Sequence, residues 1–129
     1  HSKNWVSCNF AAFPRIMIFV ARNEKDQVIG YIQWTQKGGF CQDTIIELEH
    51  VAVYKDPGIS IREKLINESL SLVKDYLNDD RSTLTAILII TRATDEAQKL
   101  YEMTLNAKVV SVIKSLHSHD ELIMIANDI

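Results

Sequence analysis

The sequence contains little cysteine, and this scarcity limits the class of protein. Cys8 and Cys41 are the only two cysteines among 129 residues, and they form neither a CxxC pair nor another spacing typical of a metal site. A disulfide-dense small fold is therefore excluded. We expect two reduced thiols in a cytoplasmic protein; the alternative is a single bridge in a secreted domain. Residues 1–15 show no charged start followed by a long apolar block, so we expect no signal peptide.

Long apolar runs and an excess of positive charge are also missing. No uninterrupted apolar run approaches the ~18 residues that a membrane-spanning helix needs. The net charge is −3 and the isoelectric point is near 5.8, whereas a surface that neutralises phosphates needs an excess of Lys and Arg. We therefore expect neither a membrane nor a nucleic acid as a partner.

Glycine and proline are scarce as well, with four and two residues. With 47% hydrophobic and 24% charged residues, the composition excludes a collagen-like repeat and a disordered chain and is typical of a soluble globular protein. A length of 129 residues corresponds to one domain, which we expect to span residues 1–129.

The first half of the chain has the pattern of three strands. β-branched and aromatic residues dominate 15–22 (RIMIFVAR) and 27–36 (QVIGYIQWTQ), and the short polar turn between them is typical of a hairpin. A third strand is predicted at 44–53 (TIIELEHVAV). On this strand two carboxylates, Glu47 and Glu49, have the same parity as Ile45, Val51 and Val53, which predicts that all five lie on one face.

The second half changes to a helical period. Apolar residues recur at helical spacing through 60–77, and Ser60 and Glu63 have the spacing of a capping box, which predicts that this helix begins just after Ser60. An almost wholly apolar strand at 83–91 follows. A second helix is predicted at 95–105, and Asn106 is suited to the left-handed position after its end.

Two last strands, 109–113 and 121–126, complete the order β-β-β-α-β-α-β-β. The strand–helix–strand unit in the middle implies a parallel pair, and the hairpins on either side imply antiparallel pairs. The predicted fold class is thus α/β, with a mixed, mostly antiparallel sheet, a central parallel strand pair and flanking helices.

Three stretches in this order resemble the GNAT family of acetyl-CoA-dependent N-acyltransferases. GYIQW (30–34) resembles the third strand of that family, ELEHVAV (47–53) its fourth strand, and AQKLYEMTLNA (97–107) the helix that follows its fifth strand. The resemblance implies the acyl-CoA N-acyltransferase fold, with residues 15–129 as the core. Residues 1–14 would be a remnant of the N-terminal region that builds much of the acceptor pocket in the family.

The resemblance also implies catalytic residues. Glu47 matches the carboxylate that acts as base in the family, and Glu49 is the alternate; both could instead be solvated strand residues or ion-pair partners. Tyr101, within the pattern Ala97-x-x-Leu100-Tyr101, matches the general acid, and the alternative is a core tyrosine. A phenol with a pKa near 10 is suited to protonating a departing thiolate.

A cofactor site is implied in the same way. Backbone groups at the end of the third strand would hold the pantetheine arm and thioester, and the start of the main helix would hold the pyrophosphate at its N–H groups. The residues that match these positions are Val51, Ala52, Val53, Gly58, Ile59, Ser60, Ile61, Arg62 and Thr94.

The pyrophosphate turn departs from the pattern of the family. Pro57 stands where the family has Arg or Gln, while Ser60 and Arg62 stand where it has Gly. Two outcomes stay open at this point: a cofactor grip rebuilt on Arg62 and the neighbouring Lys55 and Lys64, or a lost grip. We expect retained binding.

The resemblance implies an N-acetyltransferase that moves an acetyl group from acetyl-CoA to a primary amine of a small molecule or protein, by direct attack in a ternary complex. The alternative is a catalytically inactive GNAT-like module that binds CoA or a protein partner. Because residues 1–14 are short for an acceptor pocket, the chain would be part of a longer protein, or its site would be open or completed by another subunit in a homodimer.

His117 and His119 lie in a predicted turn without further ligands, so no metal site is expected.

Overall fold

The computed structural model describes residues 15–37, 43–56, 60–79, 82–116 and 119–127. These residues form six strands and two helices in the predicted order. The elements are β1 (Ile16–Arg22), β2 (Val28–Lys37), β3 (Asp43–Val53), α1 (Ser60–Asp79), β4 (Thr83–Arg92), α2 (Asp95–Leu105), β5 (Lys108–Leu116) and β6 (His119–Ala126). Neither described helix is long and apolar enough to cross a membrane.

The strands form one sheet in the order β1-β2-β3-β4-β6-β5. β3 and β4 pair in parallel, whereas the other four pairs are antiparallel. α1 makes the crossover connection that a parallel pair requires. The predicted mixed sheet with a central parallel pair is therefore confirmed.

The core lies between one face of the sheet and the two helices. On α1 the buried residues recur at three- and four-residue spacing, which places them on one stripe against the sheet. They meet alternate residues of the central strands, since only every second side chain of a strand points to a given face. The largest fully buried side chains include Trp34 and Ile32 of β2, Ile46 and Leu48 of β3, Ile87 and Ile89 of β4, and Ile66, Val73 and Leu77 of α1.

A buried hydrogen bond ties α1 to the sheet. The indole N–H of Trp34 donates to the hydroxyl of Ser69 at 2.8 Å, and the Ser69 hydroxyl donates to the carbonyl of Ile66 at 3.3 Å. Both side chains are buried, at 0% and 2% exposure, so water has no access to replace the bond. The contact satisfies the one polar atom of a large core side chain.

Replacing Ser69 by Ala should lower the free energy of unfolding by about 1–3 kcal/mol, because the indole N–H of Trp34 then stays buried without an acceptor. Chemical denaturation measures the change. Ser71→Ala, an exposed position on the same helix, is the matched control and should change stability by less than about 0.5 kcal/mol. Equal stability of the two variants would contradict this account of the bond.

A β-bulge in β3 changes the face on which its side chains lie. Gln33 of β2 pairs with His50, but the next residue, Trp34, pairs with Leu48, so Glu49 is the extra residue. The alternation of buried side chains therefore shifts by one residue at Glu49.

The bulge separates two residues that parity alone places together. Glu47 pairs with Thr35 and points away from the helices, because its neighbours in the chain are core residues. Val51 pairs with the core residue Ile32 and packs against the core. The predicted common face for Glu47 and Val51 is therefore wrong, since period-2 alternation continues only where the ladder is regular.

Both ends of α2 are capped by its flanking residues. The hydroxyl of Thr94 accepts a hydrogen bond from the N–H of Ala97 at 3.2 Å. Asn106 adopts φ 55° and ψ 34°, the left-handed conformation predicted for it, and its N–H donates to the carbonyl of Glu102. These caps fix the position of the helix at the end of β4.

Candidate functional site

The parallel pairing of β3 and β4 ends before the strands do. The last paired residues are Leu48 and Ile89, whereas β3 continues to Val53 and β4 to Arg92. Beyond Leu48 the edge of β3 that faces β4 has no partner in the described ladder, which leaves backbone N–H and C=O groups for another partner. The two strands thus open a split at the carboxyl end of the parallel pair, where ligands bind in open α/β sheets.

A cleft with a volume of about 710 Å³ lies at this split. One residue of β3, two of β4, the first turn of α1 and the N-terminal half of α2 form its walls. The lining residues are Val51, Arg62, Thr91, Arg92, Thr94, Glu96, Ala97, Leu100 and Tyr101. Four residues predicted for the site therefore come together here from three segments: Val51 from β3, Arg62 from α1, and Thr94 and Tyr101 from α2 with its N-cap.

Tyr101 combines a place in the core with access to the cleft. Its exposed fraction is 6%, and it belongs to the core cluster while lining the cleft. Burial raises the pKa of its phenol above the ordinary value near 10, and the positive charge of Arg62 partly opposes this rise. The phenol therefore keeps its proton at neutral pH, as a proton donor must. Its role as an acid stays a prediction.

The two glutamates of β3 share an ion pair outside this cleft. The ammonium of Lys37 lies 3.1 Å from Glu47 Oε1 and 3.7 Å from Glu49 Oε1. The amide of Gln33 donates to Glu49 Oε2 at 3.5 Å. The hydrogen bond to Glu47, with the charge of both carboxylates, raises the pKa of Lys37. The cleft lining on the helix-covered face includes Tyr101 but neither glutamate, so the sheet separates the predicted acid from the predicted base.

The end of β3 divides between two depressions. Val51 lines the cleft, whereas Ala52 and Val53 line a shallow hollow of about 410 Å³ together with residues of β2. Gly30 of β2 faces this end of β3 at close range, and a Cβ there would lie 2.8 Å from the carbonyl oxygen of Ala52. The absence of a side chain at Gly30 thus allows the two strands to approach where β3 leaves β4.

The N-terminus of α1 is capped by a residue that precedes it by several positions. Asp56 accepts hydrogen bonds from the N–H of Ile61 at 2.9 Å, through Oδ1, and from the N–H of Arg62 at 3.0 Å, through Oδ2. Its side chain has no exposed surface. Ser60 is the first residue of the helix and is exposed. Asp56 therefore holds the first N–H groups in place of the predicted capping box.

Gly58 and Ile59, predicted to bind the cofactor, lie outside the described residues, as does Pro57. Besides the capping-box pattern, the sequence contains a second pattern that could have indicated Asp56 as the cap of α1. Asp56 stands directly before Pro57 and Gly58, a tripeptide typical of a tight turn, and a turn can bring a carboxylate back to the helix that follows.

Arg62 connects the two helices through carboxylates. Its guanidinium lies 2.6 Å from Glu96 Oε1 of α2 and 3.7 Å from Asp56 Oδ2. The other two charged groups of this network, Asp56 and Glu96, are both carboxylates. Arg62 thus reaches the cleft with its own charge already paired on two sides.

Both ring nitrogens of His119 contact neighbouring side chains. Its Nδ1 lies 3.0 Å from the guanidinium of Arg92, and its Nε2 lies 3.0 Å from Glu121 Oε1. His117 lies outside the described residues. Within the part of the chain that the structure describes, no group of three His, Cys, Asp or Glu side chains could hold a metal ion.

Comparison with known proteins gives matches in structure alone. No protein-family model and no curated protein matches the sequence at a significant level. A Desulfovibrio desulfuricans protein assigned to the GNAT family superposes with a TM-score of 0.74 at 15% identity, over 98% of this chain and 78% of that one. A chimera of the spermidine N-acetyltransferase SpeG of Vibrio cholerae with hSSAT gives a TM-score of 0.72 at 14% identity, over 98% and 75%.

The NatB acetyltransferase complex bound to CoA and MES is similar too, with a TM-score of 0.72 at 19% identity over 96% of this chain and 80% of that one. These likenesses extend over nearly the whole chain and include the mixed sheet with its central parallel pair. The chain therefore has the fold of the GNAT acyl-CoA N-acyltransferases.

Proposed function

We propose that the chain transfers an acetyl group from acetyl-CoA to a primary amine. The observation that carries this proposal is the split between β3 and β4, with its cleft and with Tyr101 in the wall. A pantetheine arm is an extended chain with two amides, so it can pair with the backbone of Val51–Val53 as a further strand would. The thioester would then lie in the split, beside the phenol.

On the donor side, Tyr101 supplies the proton. The amine nitrogen attacks the thioester carbonyl, the C–N bond forms, and the C–S bond breaks to release a thiolate. The thiolate takes the phenolic proton of Tyr101, which burial keeps in place at neutral pH, and the extra proton of the attacking nitrogen restores the phenol as the amide forms. Backbone N–H groups at the end of β3 would polarise the carbonyl before attack.

On the acceptor side, a carboxylate of β3 removes the proton of the amine. A primary amine with a pKa near 10.4 is mostly an ammonium at neutral pH and must lose a proton before it attacks. Glu47 and Glu49 already hold an ammonium, that of Lys37, on the face of the sheet away from the helices. Donor and acceptor would thus approach the split from opposite faces, which fits direct attack in a ternary complex.

One observation favours a second candidate function, a non-catalytic module that binds CoA or a protein partner. The first N–H groups of α1, which would face the pyrophosphate of CoA in the proposed pose, already bind Asp56. Without an anchored donor, Tyr101 and Glu47 would be a core side chain and an ion-pair partner.

Calorimetric titration with acetyl-CoA tests the proposed function. We expect a Kd below 1 mM, equivalent to more than about 4 kcal/mol of binding free energy, and an increase in the melting temperature. A panel of primary amines, from polyamines to peptide N-termini, should then release CoA thiol in the presence of an acceptor. No heat and no thermal stabilisation at millimolar acetyl-CoA would contradict the proposal, and binding without thiol release would favour the non-catalytic module.

A further inference from the structure

The carboxylate of Asp56 occupies the start of α1 in the way that an external anion would. An N-cap side chain accepts from the N–H groups two or three residues after it. Asp56 instead accepts from residues five and six positions later, Ile61 and Arg62, with one oxygen for each N–H. The unpaired N–H groups of a helix N-terminus and the helix dipole favour a phosphate at this place. Here the chain itself supplies the negative group.

This internal anion is enclosed, and it shares its one cationic neighbour with a second carboxylate. Asp56 has no exposed side-chain surface, and the guanidinium of Arg62 lies 3.7 Å from it. The same guanidinium also pairs with Glu96 at 2.6 Å, in the lining of the cleft. At the N–H groups of Ile61 and Arg62, an incoming pyrophosphate would therefore meet the carboxylate of Asp56, and the nearby Arg62 guanidinium is already paired with Asp56 and Glu96.

We infer that Asp56 determines donor specificity: its carboxylate takes the position of a phosphate oxygen at the N-terminus of α1 and excludes the pyrophosphate of the donor from this position. The identification of the ligand as an acyl donor rests on the proposed function, whereas the exclusion of phosphate does not. The donor is then recognised through its pantetheine thioester arm along β3, and the nucleotide half of CoA contributes little affinity.

Titration with ADP tests the exclusion directly, because ADP has the pyrophosphate but no arm. Wild-type protein should bind ADP only in the millimolar range, and Asp56→Ala should bind it at least tenfold more tightly, since two N–H groups are freed while Arg62 keeps Glu96 as a partner. Asp75→Ala, an exposed carboxylate on the same helix, is the matched control and should leave ADP affinity unchanged. Wild-type affinity equal to that of Asp56→Ala would overturn the inference.

The thioester arm is tested with acetyl-CoA and S-acetylpantetheine, which share the arm and differ in the nucleotide. Wild-type protein should bind the two within about threefold of each other, and Asp56→Ala should shift the preference towards acetyl-CoA by tenfold or more. Asp56→Asn removes the charge while keeping the size of the side chain. It replaces Asp56→Ala in the titrations if Asp56→Ala fails to melt cooperatively. A wild-type preference of tenfold or more for acetyl-CoA would overturn the inference and leave the proposed function intact. Failure of both thioesters to bind, with the ADP result as expected, would instead overturn the proposed function alone.

Discussion

Replacing Tyr101 by Phe should lower kcat by ~10²–10⁴-fold, the usual contribution of a general acid, with little change in KM. The substitution removes only the hydroxyl, so the ring keeps its place in the core and the walls of the cleft keep their shape. Steady-state release of CoA thiol measures the effect. Tyr76→Phe, a partly buried tyrosine on α1, is the matched control and should retain full turnover. Full turnover of Tyr101→Phe would show that Tyr101 is a core residue alone.

The pH dependence of kcat/KM gives a second test of the acid role. Burial raises the pKa of the Tyr101 phenol, so the protonated form persists above the ordinary value near 10. If this phenol is the acid, the rate of the wild-type enzyme should not decline through loss of its proton until the pH exceeds about 10. A decline centred between pH 7 and 9 would assign the proton to another group.

Replacing Glu47 by Gln should also lower kcat by ~10²-fold or more, because the amide cannot accept the proton of the acceptor amine. Glu49→Gln is the matched variant, since both carboxylates contact Lys37 and both changes remove one charge. Steady-state release of CoA thiol at saturating acceptor measures the turnover of both variants. Loss of activity in Glu49→Gln instead would place the base at the bulge. Wild-type activity in both variants would show that the glutamates are ion-pair partners alone.

The order of elements was predictable because each depends on local pattern. The change from alternation at 44–53 to helical spacing at 60–77 separates β3 from α1 without reference to any other part of the chain. Asn106 ends α2 for a reason that its own side chain supplies, namely tolerance of a left-handed backbone. Such features need no knowledge of distant contacts.

The site was less predictable because two of its determinants depend on contacts across the sequence. The bulge at Glu49 arises from the register between β2 and β3, and a one-residue shift moves every later side chain to the other face. The cap of α1 is the carboxylate of Asp56, which accepts from the N–H groups of Ile61 and Arg62 five and six residues later, whereas the capping-box pattern involves only Ser60 and Glu63. Tyr101 of α2 and its N-cap Thr94 both line the cleft, and the roles predicted for them stay predictions.

The ion pair of Lys37 with Glu47 and Glu49 has a consequence for any cationic acceptor. An ammonium that arrives at these carboxylates replaces one that is already there, so its binding is an exchange of one cation for another. The carboxylates would not pass through a state without a countercharge, and the side chain of Lys37, 42% exposed, can turn towards water as the acceptor enters. The affinity for an amine would then reflect the difference in binding free energy between the acceptor ammonium and the Lys37 ammonium at the same carboxylates. Ionic strength would change this affinity little, because salt screens both ion pairs alike.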